Sequence, residues 1–350
     1  MIKLGIIGTG SMANNHAAGF KVIRGVKLTA CCDIVKKTAR DFAKRYEIAN
    51  VYTDYEQMLR DVPLDAVSIV VNDKFHAPIA IAAAKKGLHV LCEKPLATNP
   101  KDAWEMVKAA KKAGVINMVN FCYRRSSGLQ RAREMVQAGK IGDLRYVEAH
   151  HLQSWLTGKH WGNWKKTYVF LWRLSKNHDS TGALGDIGCH ILDLTTFVAG
   201  DIKSVYCKLK NFDKGVKKPY KGFSLDANDS AHITAEFANG ATGTINATRW
   251  ATGQMDSLML QVHGTKGAVK VDLDGGENKL WVSVGEDIDK PRWKAVSCGR
   301  CVSSYQKFIK SIQTGKNDTP DFEVGAKVQE YIEKCFQSDK QRKPITLRSK

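Results

Sequence analysis

The sequence predicts an α/β protein in two parts, a doubly wound parallel sheet followed by an α/β domain built on a mostly antiparallel sheet. Three observations carry that expectation. Apolar runs alternate with helical patterns over residues 1–120, and a glycine turn closes the first run. Beyond residue 140, strand patterns follow one another with few helices between them.

In chain order, residues 2–7, 27–32, 66–71, 89–92 and 116–119 read as short strands, each a compact apolar run. Helical stretches near 11–23, 35–46, 76–87 and 99–113 separate most of them. Asp54 and Asn99-Pro100 mark helix starts, and Gly87 and Gly114 mark helix ends. Parallel strands need such crossovers, so helices fall on both faces of the sheet. In the second part, runs at 144–148, 204–208, 231–237, 241–248, 258–263 and 279–284 suggest strands joined by turns such as Asn239-Gly240. Residues 301–313 and 322–337 restore a helical period near the C-terminus. The expected division gives domains 1–122 and 123–350.

A chain of 350 residues should bury roughly three quarters of its unfolded surface and divide into two domains. Its 43% hydrophobic and 25% charged residues suit a soluble globular protein. No apolar run approaches the roughly 20 residues of a membrane helix. The opening strand is too short for a signal-peptide core, so a cytoplasmic protein with no membrane partner is expected. The nine cysteines include one Cys298-x-x-Cys301 pair with no second pair to complete a zinc site. The odd count favours reduced, mostly buried thiols, and no metal is expected. The net charge of +19 comes from lysine pairs scattered along the chain, such as Lys36-Lys37, Lys85-Lys86 and Lys111-Lys112. Without a basic run, these suit solvated surface rather than nucleic acid, although they can concentrate an anionic cofactor or substrate.

Gly8-x-Gly10-x-x-Ala13 follows a strand and opens a helix, the context a dinucleotide-binding (Rossmann) turn requires. Gly8 permits the tight turn, Gly10 lets backbone amides approach a pyrophosphate, and Ala13 lets helix and strand pack closely. Gly8, Thr9, Gly10, Ser11 and Met12 are therefore candidate cofactor residues. Asp33 follows the second strand, 20 residues after Ala13. A carboxylate there accepts hydrogen bonds from a ribose and repels a 2′-phosphate, favouring NAD over NADP. It also suits a helix cap before Ile34, and the two roles are compatible.

Removing hydride from a secondary alcohol requires a base for the hydroxyl proton. Lys94, in Cys92-Glu93-Lys94-Pro95, stands at the carboxyl edge of the parallel sheet, where such sheets bind ligands. In Asp186-Ile187-Gly188-Cys189-His190, Asp186 and His190 are spaced i, i+4 and share one face of a helix, with Asp193 beyond them. A carboxylate beside an imidazole fixes its tautomer and favours its charged form. Gly182, Gly185 and Gly188 would let backbone approach a cofactor or substrate closely.

The glycine turn, Cys92-Glu93-Lys94-Pro95-Leu96-Ala97, and the run from Gly182 to His190 together resemble the Gfo/Idh/MocA oxidoreductases, the family of glucose–fructose oxidoreductase and inositol dehydrogenase. The segments Asn72-Asp73-Lys74-Phe75-His76 and Tyr123-Arg124-Arg125 are also similar to family segments. The resemblance implies a Rossmann domain followed by an α/β domain with a large, open-faced sheet used in dimer or tetramer contacts. It implies that Lys94, Asp186 and His190 are catalytic and that Asn72, His76, Glu93 and Lys94 belong to the cofactor site. The chain departs from the family at Val71-Asn72-Asp73, where relatives commonly have a Thr-Pro-Asn-like turn.

Between Glu148 and Gly182 lie His150, His151, Trp155, His160, Trp161, Trp164, Tyr168 and Trp172. Aromatic faces suit the CH faces of sugar rings, while histidines and indole N–H groups bind hydroxyls. Some of these aromatics should instead fill a core. Lys94, Tyr123, Glu148, His150, Trp155, Trp161, Asp186 and His190 are the candidate substrate residues. The expected activity is NAD-dependent oxidation of a ring secondary hydroxyl on an inositol, sugar or anhydrosugar, with Lys94 or His190 as the base. Alternatives are an NAD-dependent glycosidase, working by transient oxidation and elimination, and a non-catalytic sugar-responsive regulator.

Overall fold

The structure, a computed structural model, describes residues 1–274 and 278–347. It divides into two compact units, one of Met1–Cys122 with Val302–Gln329 and one of Tyr123–Cys301 with the chain from Glu330 onward.

The first unit runs β1 (Ile2–Ile7), α1 (Ser11–Lys21), β2 (Val26–Cys32), α2 (Lys36–Tyr46), β3 (Asn50–Tyr52), α3 (Tyr55–Asp61), β4 (Ala66–Ile69), α4 (His76–Lys85), β5 (His89–Cys92), α5 (Pro100–Ala113) and β6 (Asn117–Val119). All six strands are parallel in the order β3-β2-β1-β4-β5-β6, the doubly wound arrangement that places ligands at the β1/β4 reversal. The core strands are apolar along their length because helices cover both faces, and Leu4, Ile6, Ala66, Val90 and Leu91 are fully buried. Helix ends follow local chemistry: Asn99 accepts from the Asp102 amide and Gly114 closes α5 at φ 64°. Asp54, marked in sequence as a helix start, caps α3 by accepting from the Glu56 amide, while the extents of β3 and α3, too short to show a period, are not legible in sequence.

The second unit contains α6 (Ser127–Gln137), β7 (Leu144–Gln153), α7 (Tyr168–Leu171), α8 (Cys189–Ala199), β8 (Ile202–Lys210), β9 (Ser230–Phe237), β10 (Thr242–Thr248), β11 (Asp256–Gly264), β12 (Gly267–Asp272), β13 (Lys279–Val284) and β14 (Lys294–Val296). α9 (Ser304–Thr314) and α10 (Phe322–Gln341) follow, and β15 (Ile345–Thr346) ends the described chain. The nine strands lie in the order β14-β13-β12-β11-β7-β10-β9-β8-β15, antiparallel except for the parallel pair β7–β10. One face is a continuous apolar layer, with Ala149, Ile233, Ile245 and Leu260 level with one another, and α6 and α8 pack against the sheet. The other face carries Thr234, Thr244, Glu148 and Gln261 in the adjoining row.

The division drawn from sequence differs in one stretch. Residues 302–329, expected in the second domain, belong to the first unit. α9 buries Phe308 and Ile309 there, and Tyr305 meets His16 and Phe20 edge-on with ring centroids 5.0 Å apart. A helical period shows that a helix buries a stripe, but not against which core.

Candidate active site

The first unit concentrates its polar groups at the carboxyl ends of β1, β4, β5 and β6. Gly8 leaves β1 at φ 89°, and a Cβ there would lie 2.2 Å from the Val70 carbonyl oxygen. Gly10 begins α1, and a Cβ there would meet nothing within 4 Å. No side chain caps α1 and no acidic residue occupies its first turn, so the amide dipoles of Ser11 and Met12 face outward uncompensated. The Thr9 amide (2.9 Å) and hydroxyl (3.0 Å) both donate to Asp33 Oδ2, while Asp33 Oδ1 accepts from the Val35 amide. The turn and the acidic residue after β2 are thus tied together. Asn72 Oδ1 is buried and has no hydrogen-bond partner among the described residues. An open space beside Gly10 and an unsatisfied amide oxygen at the sheet reversal fit a dinucleotide.

Lys94 is half-buried just after β5. The preceding Glu93 is buried: its Oε1 lies 2.9 Å from His16 Nε2 and accepts from Asn120 Nδ2 at 2.6 Å, and its Oε2 accepts from the Lys94 amide at 3.1 Å. Burial works to raise the Glu93 carboxyl, but His16, Lys94 and Asn120 outweigh it and hold the group below its ordinary value. His76 is fully enclosed, its ring nitrogens 2.8 Å from the Pro95 carbonyl and 3.2 Å from the Val71 carbonyl. It braces the two loops after β4 and β5.

In the second unit, Asp186 lies in a π-helical turn, Leu184–Gly188, that runs directly into α8. Its Oδ2 accepts from Arg249 (2.9 Å) and lies 3.3 Å from Arg173 Nε. Arg249 is fully buried, and its guanidinium stacks over the Trp155 ring at 5.0 Å. The buried His190 meets the Tyr123 ring edge-on at 4.8 Å. Tyr123 in turn donates to Asp256 Oδ2 at 3.1 Å. Asp256 Oδ1 accepts from Gln153 Nε2 (2.7 Å) and lies 2.8 Å from His151 Nε2. Burial works to raise the Asp256 carboxyl, and His151, Gln153 and Tyr123 overcome it, leaving the group below its ordinary value.

Comparison with known proteins bears on the family and the fold. The family described as "Oxidoreductase family, NAD-binding Rossmann fold" matches residues 2–121, and the "GFO/IDH/MocA C-terminal domain" matches residues 129–270. The chain belongs to the Gfo/Idh/MocA oxidoreductase family. A D-glucoside 3-dehydrogenase of Escherichia coli is 33% identical, covering 68% of each chain. A levoglucosan dehydrogenase of Pseudarthrobacter phenanthrenivorans is 26% identical over 85% of this chain and 80% of its own. Among solved structures, an oxidoreductase domain protein from Kribbella flavida is 30% identical, with a TM-score of 0.88 over 99% of both chains. This Gfo/Idh/MocA protein is thus an NAD-dependent oxidoreductase.

Several expected site residues sit elsewhere. Successive side chains of β7 point to opposite faces, and the register puts His150 beside Asn246 and Met259 in the row away from α8. Glu148 shares that face, so neither it nor His150 joins His190. His151 does, with Nδ1 3.2 Å from the Ile187 carbonyl. Trp155 is 3% exposed within an apolar cluster with Trp164, Leu171 and Phe223; its indole donates to Gln153, and its ring lies under Arg249. Trp161, 40% exposed, remains able to reach a ligand. Gly182 and Gly185 make room for Asn228 and Thr181, and Gly188 packs near Leu184 and Ala247, so the protein itself fills the space expected for a ligand. Asp193 is buried against Arg124 in a two-pronged pair of 2.7 and 2.8 Å, a staple between α8 and the segment before α6. Sequence reading missed His16, Asn120, Arg249 and Asp256. Each is an isolated polar residue whose partner is distant in the chain, and only His16 left a trace, a histidine on the apolar stripe of α1 with Ala13, Ala17 and Phe20.

Proposed function

We propose that this oxidoreductase transfers hydride from a ring secondary hydroxyl of a sugar, anhydrosugar or inositol to NAD. The observation that carries the reading is the polar cluster of the second unit: the buried His190 imidazole beside Tyr123, one histidine and one tyrosine contact on Asp256, and a carboxylate at Asp186 held by two arginines. Sugar names on the two curated relatives support the substrate class.

Gly8, Thr9, Gly10, Ser11 and Met12 would hold the pyrophosphate, Asp33 the ribose, and Asn72 a polar group at the nicotinamide end. The bound cofactor supplies the hydride acceptor. His190 or Lys94, in its neutral form, takes the hydroxyl proton as the hydride leaves carbon. Arg249 and Arg173 hold the Asp186 carboxylate in one orientation beside the start of α8. Asp256, with its side chain 31% exposed, can accept a hydrogen bond from a second ring hydroxyl. The exposed Tyr146 and Tyr206 on the sheet's polar face support assembly as a homodimer or homotetramer.

Incubation with NAD and a panel of polyols, aldoses, anhydrosugars and aryl glycosides tests the reading. Accumulating reduced nicotinamide is expected with at least one cyclic polyol or sugar. Release of an aglycone without it would mean a glycosidase, and no reaction with any member would remove the substrate class.

A further inference from the structure

His16, a buried titratable group of the first unit, takes no part in the reaction as proposed. It sits on α1, six residues after Gly10, with no exposed surface and with Tyr305 edge-on against its ring. Nδ1 lies 2.7 Å from Ser68 Oγ, and Nε2 lies 2.9 Å from Glu93 Oε1. An ionised carboxylate only accepts, so Nε2 carries the hydrogen toward Glu93, and a neutral ring then accepts from the Ser68 hydroxyl at Nδ1.

A core-filling side chain at this position would need no donor aimed at Glu93. That carboxylate is buried, and a buried carboxylate keeps one orientation only while donors hold it. His16 and Asn120 take Oε1, and Oε2 receives the Lys94 amide. Glu93 and Lys94 are consecutive, so the carboxylate's orientation sets the peptide plane from which the lysine side chain departs. We infer that His16 is a positioning residue for the oxidoreductase reaction: clamped by Ser68, it holds Glu93 against the Lys94 amide and so fixes where Lys94 stands. One helix then carries both the phosphate-facing turn at its start and the support of the lysine. The inference rests on the role proposed for Lys94.

Two substitutions separate support from space-filling. In His16→Gln the amide nitrogen stands where Nε2 was and can still donate to Glu93. In His16→Asn it stands where Nδ1 was and cannot. We expect His16→Gln to stay within about five-fold of wild-type kcat, and His16→Asn to lose about 10- to 100-fold while NADH affinity changes less than about three-fold. A second readout needs no substrate: acylation of Lys94 by a water-soluble amine reagent, followed by peptide mass spectrometry. Its rate should rise several-fold in His16→Asn and stay near wild type in His16→Gln. Glu93→Gln preserves side-chain volume and should follow His16→Asn, which keeps the test available if the latter does not fold. Equal behaviour of the Gln and Asn variants, or unchanged kcat and Lys94 acylation in His16→Asn and Glu93→Gln, overturns the inference. If the wild type oxidises no sugar or polyol, the substrate reading fails while the acylation comparison still decides the role of His16.

Discussion

Gly8 and Gly10 are two residues apart and do different work. A Cβ on Gly8 would strike the Val70 carbonyl, and its φ of 89° strains any other residue. A Cβ on Gly10 would enter open space. Gly8→Ala should therefore lower stability by about 1–3 kcal/mol. Gly10→Ala should cost no more than about 1 kcal/mol while weakening NADH binding at least about ten-fold. Thermal melts and fluorescence titration with NADH check both, and equal effects of the two variants on binding and stability would contradict the distinction. This pair was legible in sequence because the turn's chemistry is local. Glu93 was legible as a neighbour of Lys94, but its partners His16 and Asn120 lie 77 and 27 residues away. No local pattern announces such a network.

At the scale of elements, β7 decides which of two adjacent histidines faces α8. Sequence singles out His150 rather than His151 as a substrate residue, although either face of an open sheet can carry a polar residue. The pairing of β7 with β10 and β11 puts His151 level with Ala247 and Leu258 on the face where α8 packs. His151→Ala should lower kcat/KM for the best substrate at least about ten-fold, and His150→Ala should stay within about three-fold. Steady-state kinetics on both variants check the assignment, and the reverse order would mean that the polar face binds substrate. The i, i+4 spacing of Asp186 and His190 was legible, and the π-helical turn between them was not. It depends on Asn228, whose carboxamide accepts from the Leu184 amide and donates to the Thr181 carbonyl from a strand connection far along the chain. The aromatic-rich segment carried a mixed signal, because Trp155 and Trp164 fill a core while Trp161 does not.

Over the whole molecule, the alternation of strands and helices was enough to foresee both sheets, since each element buries a face set by its own period. The return of residues 302–329 to the first unit was not legible, because it depends on packing across nearly the full chain. Each unit also contains a carboxylate whose neighbours hold it below its ordinary value, the buried Glu93 in the first and the half-buried Asp256 in the second. A carboxyl of this kind binds its proton less readily folded than unfolded. The stability it contributes is present above the unfolded value of about 4 and is lost as pH falls through the lower folded value. Melting temperatures should therefore hold steady down to about pH 5 and fall below about pH 4. Glu93→Gln and Asp256→Asn should each flatten that acid slope while lowering the melting temperature at neutral pH. Melts across this range check it, and an unchanged acid slope in both variants would contradict the assignment.

Turnover by Lys94→Ala, measured beside its affinity for NADH, tests most directly whether the lysine after β5 takes part in the chemistry. With the best substrate of the panel, kcat should fall about 10²- to 10⁴-fold while the NADH dissociation constant stays within about three-fold of wild type. Wild-type-like turnover in that variant would contradict the catalytic role of Lys94.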